Sequence, residues 1–112
     1  MSIRLLLTTG LLLACCTGSV LAQQRFIIER EIPGASKMSS VELRDAARLS
    51  NKVLKDLGPD IQWVQSYVAG DKLYCIYNAP NEGLIKEHAL KSGFPANRIT
   101  PVVAMIDPTT AR

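Results

Sequence analysis

The chain has 112 residues, with 13 Lys or Arg against 10 Asp or Glu, which gives a net charge of +3. This small positive excess does not indicate a basic surface for nucleic acid, so we expect no nucleic-acid partner. The length suits one small domain, and a domain of this size buries only part of its surface on its own.

The first 22 residues have the layout of a secretory signal peptide. Arg4 gives a positive start, an apolar run extends from Leu5 to Leu13, and Val20-Leu21-Ala22 forms a cleavage-like triplet before Gln23. We therefore expect residues 1–22 to be removed and the protein to be periplasmic or secreted, without stable membrane insertion. A membrane anchor is the alternative, but the apolar run is short and contains threonines and a glycine.

A lipoprotein signal is a second processing route. Leu12-Leu13-Ala14-Cys15 is similar to a bacterial lipobox, in which Cys15 would be acylated and would anchor the protein to a membrane. The leucine at the middle position and the apolar residues after Cys16 favour ordinary cleavage instead. Either route leaves one folded domain, which we place at residues 23–112.

Cys75 is the only cysteine outside the leader. One thiol in an oxidising compartment cannot form an internal disulfide. Cys75 is therefore expected to be buried and inert, to bind a metal, or to link two chains covalently, and burial is the default.

The mature chain begins with a strand and a helix. Arg25–Ile32 is rich in β-formers and stops at Pro33-Gly34, which predicts a strand. Ser39 and Glu42 form a capping-box pattern that opens a helix ending at Leu57. The apolar stripe of this helix recurs every three or four residues, at Leu43, Ala46, Ala47, Ser50, Val53, Leu54 and Leu57.

Two strands and their hairpin follow. Ile61–Val68 and Leu73–Asn78 predict strands, and Ala69-Gly70-Asp71 between them is a short connection that contains glycine. The faces of the first of these strands are both apolar, since Trp63 and Tyr67 are expected on one side and Val64 and Val68 on the other.

The remaining elements are a helix and a strand. Asn81 is expected to cap a helix that ends near Ser92 and Gly93, and Ile99–Ile106 predicts a last strand. Because Pro101 cannot donate a ladder hydrogen bond, this strand should lie at a sheet edge. The stripe of the second helix contains Leu84, Ile85, His88, Ala89 and Ser92.

The order of elements, β-α-β-β-α-β, predicts an α+β ferredoxin-like fold with an antiparallel sheet and both helices on one face. Two apolar sheet faces with helices for only one imply that another subunit covers the second. We therefore expect a homodimer that forms through the open sheet face. A tail or loop of the same chain is the alternative cover, and a non-catalytic module that binds a partner there is another.

Enzyme signatures are mostly missing from the sequence, which has no Gly-rich phosphate loop and no nucleophile elbow. Cys75 and His88 could approach each other, but nothing identifies an orienting group for thiol catalysis. An enzyme of the dimeric ferredoxin-like type stays an alternative. It requires His88, Tyr74 or Tyr77 to meet at a cavity between the sheet and the helices.

Metal binding is the stronger hypothesis, because thiol and imidazole are good ligands for transition metals. Cys75 and His88 do not complete a four-coordinate site, so the site would be open, and binding should weaken as the pH falls through the usual range of histidine. The alternative for His88 is a packed ring satisfied by a backbone carbonyl. Further ligands would be water, a second subunit, or carboxylates such as Glu29, Glu31, Asp71 and Glu87.

Most of the mature chain resembles a known family. The resemblance rests on FIIEREIPGASKMSSVEL, LGPDIQWVQSYVAGDKLYCIYNAPNEGLIKEHALKSGFPANRIT and MIDPTTAR, from Phe26 to Ala111. Cys75, His88 and Gly93-Phe94-Pro95-Ala96 also fit its pattern. The family is that of small bacterial nickel-binding, nickel-responsive proteins, formerly a domain of unknown function.

The resemblance implies a ferredoxin-like dimer that binds nickel or a related divalent metal at its surface, without catalysis, for sequestration or tolerance. The export leader departs from the pattern of the family. It favours an encounter with metal outside the cytoplasm and puts cytoplasmic sensing in doubt.

Overall fold

The computed structural model describes residue 10 and residues 22–112, so the predicted leader and Cys15 lie outside the described residues except for Gly10 and Ala22. None of the helices in the described part of the chain is long and apolar enough to cross a membrane. The strands and α-helices of this part are β1 (Gln24–Glu31), α1 (Ser40–Leu57), β2 (Gln62–Ala69), β3 (Lys72–Ala79), α2 (Glu82–Ser92) and β4 (Arg98–Pro101). Short 3-10 turns occupy Ala35–Lys37 and Pro108–Ala111.

The strands form an antiparallel sheet in the order β2-β3-β1-β4. This order and the two helices confirm the predicted α+β ferredoxin-like fold. Ile28 at the centre of β1 lies opposite Cys75 of β3 and Ile99 of β4. The strand that contains Pro101 lies at the sheet edge, as predicted, because its proline cannot donate to a neighbour.

The last strand is shorter than predicted, since β4 ends at Pro101 and not at Ile106. Phe26 lies opposite Pro101, and the backbone N–H of Val102 donates to the carbonyl of Arg25 at 2.8 Å. β1 begins at Gln24, only two residues before Phe26. An antiparallel strand paired with β1 can therefore continue for only two residues beyond Pro101. The prediction was wrong because it depended on apolar residues and not on the length of the neighbouring strand.

Local signals fix the helix ends where the sequence predicted them. The Ser39 hydroxyl accepts from the Glu42 N–H at 3.1 Å, and the Glu42 carboxylate accepts from the Ser39 N–H at 3.2 Å. This capping box satisfies donors that the first turn of α1 would otherwise leave free. Asn81 accepts from the Leu84 N–H at 2.9 Å, and Gly93 closes α2 with a φ of 77° that favours glycine.

A β-bulge in β2 changes which residues share a face. The register shifts between Trp63, which lies opposite Tyr77, and Gln65. Because an extra residue reverses the alternation, Trp63 lies on the helix face while Tyr67, opposite Tyr74, lies on the open face. The prediction that Trp63 and Tyr67 share a face was therefore wrong.

The core lies between one face of the sheet and the two helices. The inner stripes include the buried residues Ser50 and Val53 of α1 and Ile85, His88 and Ser92 of α2. Leu43, the first residue of the predicted α1 stripe, is 39% exposed. The buried hydrophobic cluster consists of Phe26, Ile28, Ile61, Cys75, Tyr77, Ala79 and Ile85.

Candidate functional site

Cys75 and His88 both lie inside the layer between the sheet and the helices. Cys75, on the helix face of β3, is 2% exposed, and His88, on α2, is fully buried. Tyr77 follows Cys75 on the same strand face, and its ring centroid lies 5.2 Å from that of His88. The structure thus brings the two predicted ligands to one side of the sheet and closes both to solvent.

A buried hydrogen-bonded chain joins three elements of the fold. The Ser50 hydroxyl of α1 lies 3.2 Å from the Tyr77 hydroxyl of β3 and 3.2 Å from His88 Nε2 of α2. His88 Nδ1 is buried and has no partner among the described residues. The partner of His88 is therefore a hydroxyl and not the backbone carbonyl considered from the sequence. Ser50, a polar residue in an apolar stripe, was the signal for this chain.

Burial keeps the His88 ring neutral. It lowers the pKa of His88 from 6.5 to about 4, with the positive charge of Arg30 acting in the same direction and a hydrogen bond with Ser50 opposing it. Burial also raises the pKa of Tyr77. A neutral imidazole is the form that binds metals. Protons would therefore compete with a metal for this ring near pH 4 and not near pH 6.5.

Arg30 is a buried charged side chain that the sequence did not lead us to expect. It lies on the helix face of β1, is 2% exposed, and its Nη1 donates to the carbonyls of Pro95 at 3.0 Å and Phe94 at 3.4 Å. Its guanidinium carbon lies 5.9 Å from the Tyr77 ring centroid and 5.7 Å from that of Phe94. The sequence does contain a signal for this burial. Arg30 is two residues after Ile28 on β1, and side chains two residues apart on a strand share a face.

The guanidinium of Arg30 is incompletely paired. Its Nη2 is buried without a hydrogen-bond partner among the described residues. The ion pairs in this part of the chain involve other basic residues, so Arg30 has no carboxylate partner there. An uncompensated buried charge is costly, which makes this position unusual in a domain core.

A cavity of about 290 Å³ lies between the sheet and α1. It reaches solvent near Leu43 and Val68, each 39% exposed. Of the residues that the structure describes, neither His88 nor Tyr74 nor any carboxylate borders it, so the three residues of the enzyme alternative do not meet there. The cavity is lined by Arg30, Ile32, Met38, Leu43, Ala46, Ala47, Ser50, Trp63, Ser66, Val68, Leu73, Cys75, Tyr77 and Phe94.

The predicted carboxylate ligands lie apart from the thiol and the imidazole. Glu29 lies on the open face of β1, with ion pairs to Lys72 at 3.6 Å and Arg98 at 3.8 Å. Glu31 is exposed on the same face, and Asp71 in the hairpin accepts from the Gly34 N–H at 3.1 Å. Within the described residues, no three His, Cys, Asp or Glu side chains form a group that could hold a metal ion.

The interior pair does not by itself fit a closed metal site. Cys75 and His88 offer two donors, and no hydrogen-bond partner for His88 Nδ1 lies in the described part of the chain. However, the charge of Arg30 acts on the same ring, and a divalent cation at that ring would be repelled by it. The donors suit a transition metal, while the surrounding charge does not.

Comparisons with known proteins identify a family. A family model described as "SCO4226-like: Nickel responsive protein SCO4226-like" matches residues 26–102, which is more than half of the chain. The solved structure of SCO4226 from Streptomyces coelicolor A3(2) is similar, with a TM-score of 0.61 and 21% sequence identity. The match covers 73% of this chain and 99% of that chain, and at this identity it shows the fold. No curated protein matches the chain.

Proposed function

Because this chain belongs to the SCO4226-like family of nickel-responsive proteins, we propose that it binds Ni(II) or a similar divalent transition metal. The role we assign is sequestration of the metal or tolerance to it, without catalysis. The family match across residues 26–102 is the observation that carries the proposal. It fits a site that is open and exchangeable, since a protein that responds to a metal must also release it.

The open sheet face offers the accessible donors. Glu29 and Glu31 alternate along β1 and therefore share this face, away from Arg30. The cations paired with Glu29, Lys72 and Arg98, are partly or largely exposed and can move aside. Two carboxylates make a weak site, and a second copy of the chain would add the same two groups.

Cys75 and His88 are the second donor set. Thiol and imidazole donors suit nickel better than carboxylate donors do. The neutral ring of His88 also needs no deprotonation at pH 7. Since both are buried, their use as ligands requires the helices to separate from the sheet and the metal to overcome the charge of Arg30. Separate variants can distinguish this set from Glu29 and Glu31.

The proposal includes a homodimer that forms through the open sheet face. Ile27 of β1 and Tyr67 of β2 are 36% and 54% exposed on this face. The C-terminal segment leaves it open, because Val103 is 98% exposed and Met105 and Ile106 are also exposed. Exposed apolar side chains on an uncovered sheet face are typical of an interface.

Light scattering after size exclusion tests the dimer. Tyr67→Glu should convert it to a monomer, since the substitution would bury a charge at the interface. Leu90→Glu adds the same charge to an exposed apolar position on α2 and should leave the dimer intact. A wild-type monomer at the concentrations used for metal titration would contradict this part of the proposal.

We also propose export, on the sequence of residues 1–22 alone. Mass spectrometry of the processed protein distinguishes the routes. Ordinary cleavage gives a chain that begins at Gln23, whereas lipoprotein processing gives an acylated Cys15. An intact N-terminus on the natural protein would contradict both.

Calorimetric titration of tag-free protein with Ni(II) tests metal binding. The double variant Glu29→Gln/Glu31→Gln should lower the affinity by about tenfold or more if the open face holds the metal. Cys75→Ser and His88→Ala should do so if the interior pair holds it.

The matched control for the carboxylate variant is Asp45→Asn/Glu82→Gln, which removes the same charge from exposed helix positions that pair with Arg48 and Lys86. Its affinity should stay close to that of the wild type. Unchanged affinity in every ligand variant would remove the predicted residues from the site. A wild-type protein that takes up no Ni(II) would contradict the proposed function itself.

A further inference from the structure

We propose that the cavity between the sheet and α1 binds a small apolar carboxylate, whose charged end pairs with Arg30. This site shares Cys75 with the interior donor set, but among the described residues neither His88 nor any carboxylate lines it. The inference goes beyond metal binding and does not depend on it.

The guanidinium of Arg30 defines the charged end of the ligand. Nη1 already donates to the carbonyls of Pro95 and Phe94, Nη2 has no partner among the described residues, and Arg30 borders the cavity. Guanidinium groups bind carboxylates strongly, through paired or charge-assisted hydrogen bonds. An incoming anion would therefore satisfy a buried donor that the described residues leave unpaired, and would neutralise a buried charge.

Hydroxyl groups stand near the same end of the cavity. Ser50 and Tyr77 both border it, and their oxygens lie 3.2 Å from each other. Tyr77 also lies beneath the guanidinium of Arg30, 5.9 Å from its carbon. A carboxylate held by Arg30 would thus have hydroxyl donors close by, and these can turn toward an anion without being ionised.

The rest of the wall is apolar and sets the body of the ligand. Met38, Leu43, Val68 and Leu73 face the cavity together with Trp63. A cavity of 150 Å³ accommodates benzene, so one of about 290 Å³ has room for a ligand of about twice that size, on the order of twelve non-hydrogen atoms. The size and the single charge exclude nucleotides, and the free cation disfavours metals and amines.

Trp63 is the only tryptophan of the chain and lies in the cavity wall, so its fluorescence reports binding directly. We suggest titrating the protein with 4-phenylbutanoate and, separately, with the uncharged 4-phenylbutan-1-ol. The acid should give a saturable change, and the alcohol should bind roughly tenfold to a hundredfold more weakly because it cannot pair with the guanidinium. Equal binding of both compounds, or no binding of either at millimolar concentration, would overturn the proposal.

Two variants locate the site. Arg30→Gln should weaken binding of the acid by about the same factor that separates acid from alcohol on the wild type. It should leave the affinity for the alcohol unchanged. Ala47→Leu should abolish binding by filling the cavity while Arg30 stays in place. Asn51→Leu adds the same side chain to an exposed position of α1 outside the cavity and should bind as the wild type does.

The comparison of acid and alcohol on the wild type decides the charge preference even if Arg30→Gln fails to fold. Full binding by a folded Ala47→Leu would place the ligand elsewhere and overturn the assignment.

Discussion

His88 should make the stability of this protein fall as the pH is lowered from 6.5 to about 4. The ring titrates at 6.5 in the unfolded chain, but burial and the charge of Arg30 lower its pKa to about 4 in the fold. Between these values the unfolded state binds a proton that the folded state does not. The contribution of His88 to the free energy of unfolding is therefore fully present above pH 6.5 and is lost as the pH falls toward 4.

The magnitude follows from the size of the shift. One pKa unit corresponds to about 1.4 kcal/mol, so lowering from 6.5 to about 4 gives roughly 3 kcal/mol across the window. The total free energy of unfolding of a native protein is about 5–15 kcal/mol. The loss from one buried ring is therefore a large part of the stability of the protein.

Urea unfolding at several pH values between 4 and 7 measures this effect. The free energy of unfolding of the wild type should fall steadily with pH. His88→Gln removes the titrating ring and should be less stable at pH 7 but lose much less stability on acidification. Every other titrating group is shared by the two proteins, so the difference between their slopes isolates His88. Parallel slopes would refute the assignment of a neutral, buried imidazole.

Three further outcomes follow from the same packing. Ser50→Ala should lower the free energy of unfolding by about 2–4 kcal/mol, because it leaves both Tyr77 and His88 without a partner. Tyr77→Phe removes one hydroxyl and should lower it by about 1 kcal/mol. Urea unfolding measures both, and equal losses would contradict a shared Ser50 hydroxyl. Ser39→Ala should cost about 1 kcal/mol through loss of the capping box, measured by thermal unfolding, and no change would contradict that cap. Cys75 is 2% exposed but borders the cavity, so an aromatic disulfide reagent should modify it much more slowly in the native than in the unfolded protein, and equal rates would contradict its burial.

The elements of the fold were predictable because their signals are local. The pair Ser39 and Glu42 fixes the start of α1, and Gly93 fixes the end of α2, without any knowledge of the neighbouring strands. The edge position of the strand with Pro101 also follows from one missing N–H group. These features gave the order of strands and helices, and the order restricts the fold.

The details of the site depended on contacts between elements, and the sequence does not contain them explicitly. The bulge at Trp63 arises from the register of β2 on β3, and it exchanges the faces that a simple alternation assigns. The burial of Arg30 between Tyr77 and Phe94 needs a sheet, a helix and a loop together. Charged residues are so rarely buried that the composition of β1 alone favours a solvated Arg30.

The most direct test of nickel binding is elemental analysis of protein purified without an affinity tag, exposed to Ni(II) and then dialysed. We predict a reproducible, stoichiometric amount of bound nickel, which either Glu29→Gln/Glu31→Gln or Cys75→Ser/His88→Ala reduces. Nickel no higher than in the dialysis buffer would contradict it.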